Sequence, residues 1–93
     1  MGRELLSQTE IGGRLRELQD WSLRGNEIVK VVKKEDFVRA MAFVNAVALL
    51  AEKQNHHPDI DIRWNTVTLV LSTHSAGGLT ENDFELAKAI DGV

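Results

Sequence analysis

Residues 59–72 read DIDIRWNTVTLVLS, and their spacing decides the fold. Ile60, Ile62 and Trp64 alternate with Asp59, Asp61 and Arg63, while Val67, Leu69 and Leu71 alternate with Thr66, Thr68, Val70 and Ser72. Successive side chains of a strand point to opposite faces, so each run presents one face to a core. The two runs join near Asn65 and predict a hairpin in which residues 58–64 lie opposite 66–72. A hairpin cannot bury its apolar face alone, so the rest of the chain must supply a second layer.

Upstream, from residue 35 to about 53, Phe37, Met41, Val44, Ala48 and Ala51 keep helical spacing. Val38, Phe43, Val47 and Leu50 widen that stripe almost all round, which predicts a buried central helix. Residues 55–58 end it, because the residue before Pro58 is pushed out of the helical region. Further back, Trp21-Ser22-Leu23 and residues 27–33 flank Arg24-Gly25-Asn26, a turn-forming segment, and predict another hairpin. Ser7 with Glu10 resembles a capping box, and Ile11, Leu15 and Leu18 follow at helical spacing, predicting a first helix over 8–19. Gly12 and Gly13 oppose it by about 1 kcal/mol each relative to alanine, so packing must compensate. Downstream, Gly77-Gly78 ends the strand pair, Thr80 caps a last helix, and Phe84, Leu86, Ala87 and Ile90 give that helix its buried side. The expected architecture is α+β: a four-stranded antiparallel sheet with three helices on one face, in the order α-β-β-α-β-β-α, forming a single domain over 1–93. No internal repeat, linker or low-complexity tract interrupts it.

Composition narrows the function classes. A chain of 93 residues buries only about 60–65% of its unfolded surface. The absence of cysteine excludes disulfides, thiolate metal sites and a thiol nucleophile, and points to a reducing compartment. A net charge of −3 lacks the basic footprint of a protein that grips phosphate backbones, so no direct nucleic-acid binding is expected. Residues 1–6 carry Arg3 and Glu4 without a long apolar core, and residues 37–51 are too short and too interrupted to span a bilayer. A cytoplasmic protein without membrane contact is expected.

The three histidines all fall at loop–strand junctions, His56 and His57 before the third strand and His74 after the fourth. The predicted hairpin brings the His56-His57 end back beside His74. Strand parity places His74 on the side of Thr68, Val70 and Ser72, away from the helix-packed face. Imidazole exchanges protons near neutral pH, so such a cluster suits paired acid and base work. A structural alternative stands beside it: His56 and His57 cap the helix C-terminus, and His74 bonds a carbonyl. Zinc is a further alternative, although adjacent side chains diverge and chelate poorly. Asp83 stands at the third position after Thr80, where a carboxylate normally caps a helix. Glu52 could orient a histidine or lie solvated. Trp21 and Trp64 suit a core or an interface better than a ligand platform.

One ordered set of motifs is more specific than any of these alone. Ala51-Glu52, Asn55-His56-His57-Pro58, Trp64, Val67, Leu71, Thr73-His74, Gly77-Gly78-Leu79-Thr80, Asp83 and Leu86-Ala87 resemble the pattern of the pterin-4a-carbinolamine dehydratases. The resemblance extends upstream through Trp21, Phe37, Ala40 and Phe43. It departs at Trp64, usually tyrosine in that family, and at Val32 and Lys34, where aromatic residues are common.

The resemblance implies the same element order and an activity: loss of water from 4a-hydroxytetrahydropterin, a by-product of aromatic amino acid hydroxylation, to give quinonoid dihydropterin for tetrahydrobiopterin recycling. It implies no cofactor and no metal. By match, His56, His57 and His74 form the catalytic site, with His56 and His74 in proton transfer and His57 in binding and orientation. Pro58 and the segment Thr73, Ser75 and Ala76 would line the pterin, and Glu52 or Asp83 would support an imidazole. It further implies a homodimer or homotetramer. The alternative is a non-catalytic dimerisation module for a transcription factor, carried by a helix surface, since some family members stabilise a homeodomain protein.

Overall fold

A computed structural model describes residues 4–93 of the chain; residues 1–3, part of the stretch read above for export signals, lie outside the described residues. The elements are α1 (Gln8–Leu15), β1 (Ser22–Arg24), β2 (Glu27–Lys33), α2 (Phe37–Gln54), β3 (Asp59–Arg63), β4 (Thr66–Leu71), one 3₁₀ turn (His74–Ala76) and α3 (Glu81–Asp91). The strands form the expected four-stranded antiparallel sheet, and pairing of β2 with β4 gives it the order β1-β2-β4-β3. Val67, Leu69 and Leu71 of β4 are fully buried, and Ile28 pairs opposite Leu71 on the same face. They join Phe43 and Val47 of α2 and Phe84, Leu86 and Ile90 of α3 in one core, so the helices cover that face. Val31 on the other face is 59% exposed. No helix among the described residues is long and apolar enough to cross a membrane.

Three elements differ from expectation in ways that matter. The helix predicted over 8–19 stops at Leu15. Beyond it, the Glu17 amide donates to Arg14 and the Leu18 amide to Leu15, each at 3.1 Å, so tight i→i+3 turns replace helix. Leu15 and Leu18 still pack on the core, and the two glycines leave little propensity to extend the helix.

In α2, the buried stripe is Ala40, Phe43, Val47 and Ala51, not the set beginning at Phe37. Phe37, Val38 and Leu49 are 50%, 73% and 74% exposed, so the central helix is not buried all round. Only one sheet lies beneath it, and a helix can turn only one side to one layer. Asp36 starts the helix, its Oδ1 accepting from the Arg39 amide at 2.9 Å.

The third difference is in register. Asp59 pairs with Val70 and Arg63 with Thr66, so Trp64 and Asn65 together make a two-residue turn. Trp64 has φ 51° and is 66% exposed, outside the strand alternation in which its spacing placed it. Two-residue hairpins favour positive φ at their first central residue, because that matches the twist of the flanking strands. Asn65 is buried, and its Nδ2 donates to the Lys34 carbonyl at 2.9 Å, pinning this turn to the end of β2.

Candidate active site

The site lies where α2 ends, β4 ends and α3 begins. Asn55 takes the left-handed conformation, φ 53° and ψ 44°. The His56 amide then reaches back to the Ala51 carbonyl at 3.1 Å and the Asn55 amide to Glu52 at 3.2 Å, the paired bonds of a Schellman end. The helix therefore stops at Asn55, before Pro58 exerts its effect, and the chain leaves with His56 and His57 on different sides. Gln54 Nε2 donates to the Asn82 carbonyl at 2.9 Å and fastens this end of α2 to the first turn of α3.

Each of the adjacent histidines meets its own carboxylate. His56 Nε2 lies 2.6 Å from Asp83 Oδ1, with side-chain exposures of 12% and 0%. His57 Nε2 lies 2.6 Å from Glu52 Oε2, but that pair stands in solvent. Both carboxylates named from the sequence thus hold an imidazole, and the assignment is His56 to Asp83 and His57 to Glu52. Asp83 also closes a capping box with Thr80, so capping and imidazole support are one arrangement.

β4 ends at Leu71, but its inward phase continues through Thr73, which is buried. The Thr73 amide donates to the Gly78 carbonyl at 2.9 Å, closing a short loop. His74 opens the 3₁₀ turn inside that loop and is exposed, and Gly77 ends the turn with φ 79°, a backbone state that suits glycine. The orientation of His74 is therefore set by the turn and not by the strand parity invoked above.

His56, His57 and His74 line one open cleft of about 250 Å³, together with Asn55, Asn82 and residues 72, 73 and 75. The structure so brings the three imidazoles and Thr73 and Ser75 to one cleft. Pro58 and Ala76, expected to line it, do not. Asn55, Ser72 and Asn82 were not anticipated. Asn55 carries a readable signal, since asparagine tolerates positive φ at a helix end. Among the described residues, no group of His, Cys, Asp or Glu converges as a set of three metal ligands.

Fold and site together define a class: a small α+β domain with an open sheet face and a histidine–carboxylate cleft at the junction of α2, β4 and α3. The model of the family described as pterin 4 alpha carbinolamine dehydratase matches residues 4–93, and the chain belongs to this family. A relative from Nocardia farcinica, provisionally named a pterin-4-alpha-carbinolamine dehydratase, is 55% identical over 98% of this chain and 96% of its own length. A relative from Chloroflexus aurantiacus under the same provisional name is 58% identical over 92% of each chain. Among solved structures, the transcriptional coactivator/pterin dehydratase from Brucella melitensis superposes with a TM-score of 0.89 at 36% identity, over 94% of this chain and 95% of that one. A pterin dehydratase-like RuBisCO assembly factor of the alpha-carboxysome shares the fold at a TM-score of 0.67 and 23% identity, over 80% of this chain and 88% of that one.

Proposed function

We propose that this chain dehydrates 4a-hydroxytetrahydropterin to quinonoid dihydropterin, serving tetrahydrobiopterin recycling in the cytoplasm. The observation that carries this reading is the placement of His56, His57 and His74 around one cleft, two of them braced by carboxylates. The reaction needs one proton delivered to the departing 4a-oxygen and one removed from N5. The C4a–O bond breaks, the N5 electron pair forms the C4a=N5 bond, and water leaves. Two imidazoles at the cleft can divide these transfers without any change in oxidation state.

In this reading, His56 and His74 move the protons. His56 is held by the buried Asp83, and His74 stands in the loop opposite, open to solvent. His57 binds and orients the pterin, its ring steadied by Glu52. A pair standing in solvent suits a binding contact better than a transfer that depends on fixed distances.

The decisive measurement is formation of quinonoid dihydropterin from synthetic 4a-hydroxytetrahydropterin, read by absorbance against the spontaneous rate. Turnover above that rate is expected, and a folded protein that adds nothing to it ends the dehydratase reading. A partner-binding role is the second reading, supported by the coactivator in the name of the Brucella structure and by the exposed Val38 and Leu49 of α2. A folded protein without turnover would leave that reading standing.

A further inference from the structure

Behind His56 lies a buried polar chain whose donors can be counted. Asp83 Oδ1 faces His56 Nε2 at 2.6 Å, and Asp83 Oδ2 accepts from the Thr80 amide at 2.9 Å and from Thr73 Oγ1 at 2.8 Å. Thr73 Oγ1 also lies 2.7 Å from Thr80 Oγ1. A hydroxyl has one proton. Thr73 spends its proton on Asp83, so Thr80 must donate to Thr73, and the chain has a single direction: Thr80 to Thr73 to Asp83. With two donors on Oδ2, the carboxylate is fixed as an acceptor, and His56 must bring its own proton to Oδ1. All of these side chains except His56 are buried, and no buried side-chain polar atom among the described residues lacks a partner.

We propose that Thr73 and Thr80 are positioning residues that hold His56 as its Nε2–H tautomer. Nδ1 then carries the lone pair, and it is the ring nitrogen that would accept a proton from a molecule in the cleft. Thr73 thus acts through Asp83 with its hydroxyl turned inward, a different part from the pterin-lining one implied by resemblance. The catalytic consequence rests on the dehydratase reading; the tautomer itself does not.

Local sequence offers no route to this chain. Thr73 and Asp83 are ten residues apart and His56 and Asp83 are 27 apart, and only the fold brings them together. The register found for β3 and β4 contributes. Extended past Asp59, it sets Thr73 level with His56, where the expected register would have set His74.

The test is nitrogen NMR of the histidine rings in full-length protein at a pH where imidazole is neutral, alongside turnover. In the wild type, His56 should show protonated Nε2 and unprotonated Nδ1. Thr73→Val leaves Asp83 an acceptor but removes one of the two donors that fix Oδ2, so the carboxylate can turn from the ring and release Nε2. His56 should then move toward a mixture of tautomers and kcat fall by about 10–100-fold, the scale on which losing an outer partner acts at metal-bound histidines, with little change in KM. Thr73→Ser, which keeps the hydroxyl, should restore both readouts. If Thr73→Val does not fold, Thr80→Val, which removes only the outer donor, should shift the tautomer in the same direction. A wild-type His56 protonated at Nδ1, or a folded Thr73→Val with an unchanged tautomer, overturns the proposal whatever happens to kcat. Wild-type protein with the expected tautomer but no turnover would fault the dehydratase reading instead and leave the positioning role intact.

Discussion

At the scale of single residues, the histidines were legible because they are few and chemically distinct, whereas their partners were only half legible. Asp83 shows its capping role in the local spacing from Thr80, but its bond to His56 exists only through folding. If His56 and His74 share proton transfer, His74→Ala should lower kcat by about 10²–10⁴-fold, the range for one positioned acid or base. The fold should survive, because His74 is exposed in a loop, and circular dichroism with steady-state rates checks both parts. If the exposed His57–Glu52 pair orients the pterin and transfers no proton, His57→Ala should raise KM more than it lowers kcat. Asp83→Asn is more informative. Its carboxamide can keep an oxygen toward the Thr80 amide and Thr73 hydroxyl only by turning its NH₂ toward His56 Nε2, which must then accept. The ring tautomer reverses, the bonds to the Thr80 amide and Thr73 hydroxyl persist, and the second amide hydrogen is the one donor left to find a partner. Turnover should fall by about 10²–10⁴-fold, while stability in urea should change by less than the roughly 2 kcal/mol of a fully lost cap. A variant with intact turnover would show that the state of His56 does not matter.

At the scale of elements, period-2 alternation announced β3 and β4, the turn at Arg24-Gly25-Asn26 announced β1 and β2, and helical spacing announced all three helices. What the patterns do not hold is the azimuth of a helix apolar on several sides. Phe37 and Phe43 read alike in sequence, yet α2 buries Phe43 and leaves Phe37 half exposed. The turn at Trp64 escaped for a related reason: an aromatic in strand phase is indistinguishable by period from one just past the strand. Two further expectations belong here. At Asn55, φ 53° should make Asn55→Val cost about 1–2 kcal/mol, the penalty for a left-handed residue with a Cβ, whereas Asn55→Gly should be neutral or stabilising. At the far end of α3, Asp91 accepts from Lys30 Nζ at 2.6 Å, the Trp21 indole at 2.9 Å and the Gln19 amide at 2.8 Å. Burial alone would raise its pKa, but these donors together hold it below the ordinary aspartate value. A lowered folded-state pKa means that the stabilisation is complete above the unfolded value near 4 and is lost as pH falls through the folded one. Asp91→Asn should therefore be less stable than wild type at pH 7, by about 1.5–3 kcal/mol, and the gap should close below pH 4. A gap that persists unchanged at pH 3 would show that the charge contributes nothing.

At the scale of the whole molecule, the surface carries large apolar side chains outside the core, Phe37, Val38 and Leu49 of α2 among them. Val38, Ala42, Asn45 and Leu49 are all exposed and recur at i, i+4, i+7 and i+11, a continuous stripe along the side of α2 turned away from the sheet. Spacing of this kind fits a helix that packs on another helix, and a polar asparagine inside such a seam fixes register and partner number at some cost in stability. Sequence indicated the excess of apolar residues on this helix but could not assign them to inside or outside. Once the fold removes Ala40, Phe43, Val47 and Ala51 to the core, the remainder is left facing solvent. Self-association of this chain into a homodimer or homotetramer would cover it, and sedimentation velocity at micromolar concentration should show one of those masses. Leu49→Glu tests the surface itself. Leu49 is 74% exposed, so the protomer should keep its circular dichroism, while a buried charge without a partner in the helix–helix seam should drive the sedimentation coefficient toward that of the monomer. The cleft lies beyond the C-terminal end of α2, marked by Asn55, and the stripe runs from Val38 to Leu49, so dissociation should leave turnover per chain largely intact. A wild-type protein that sediments as a monomer would mean that the stripe serves no homo-oligomer.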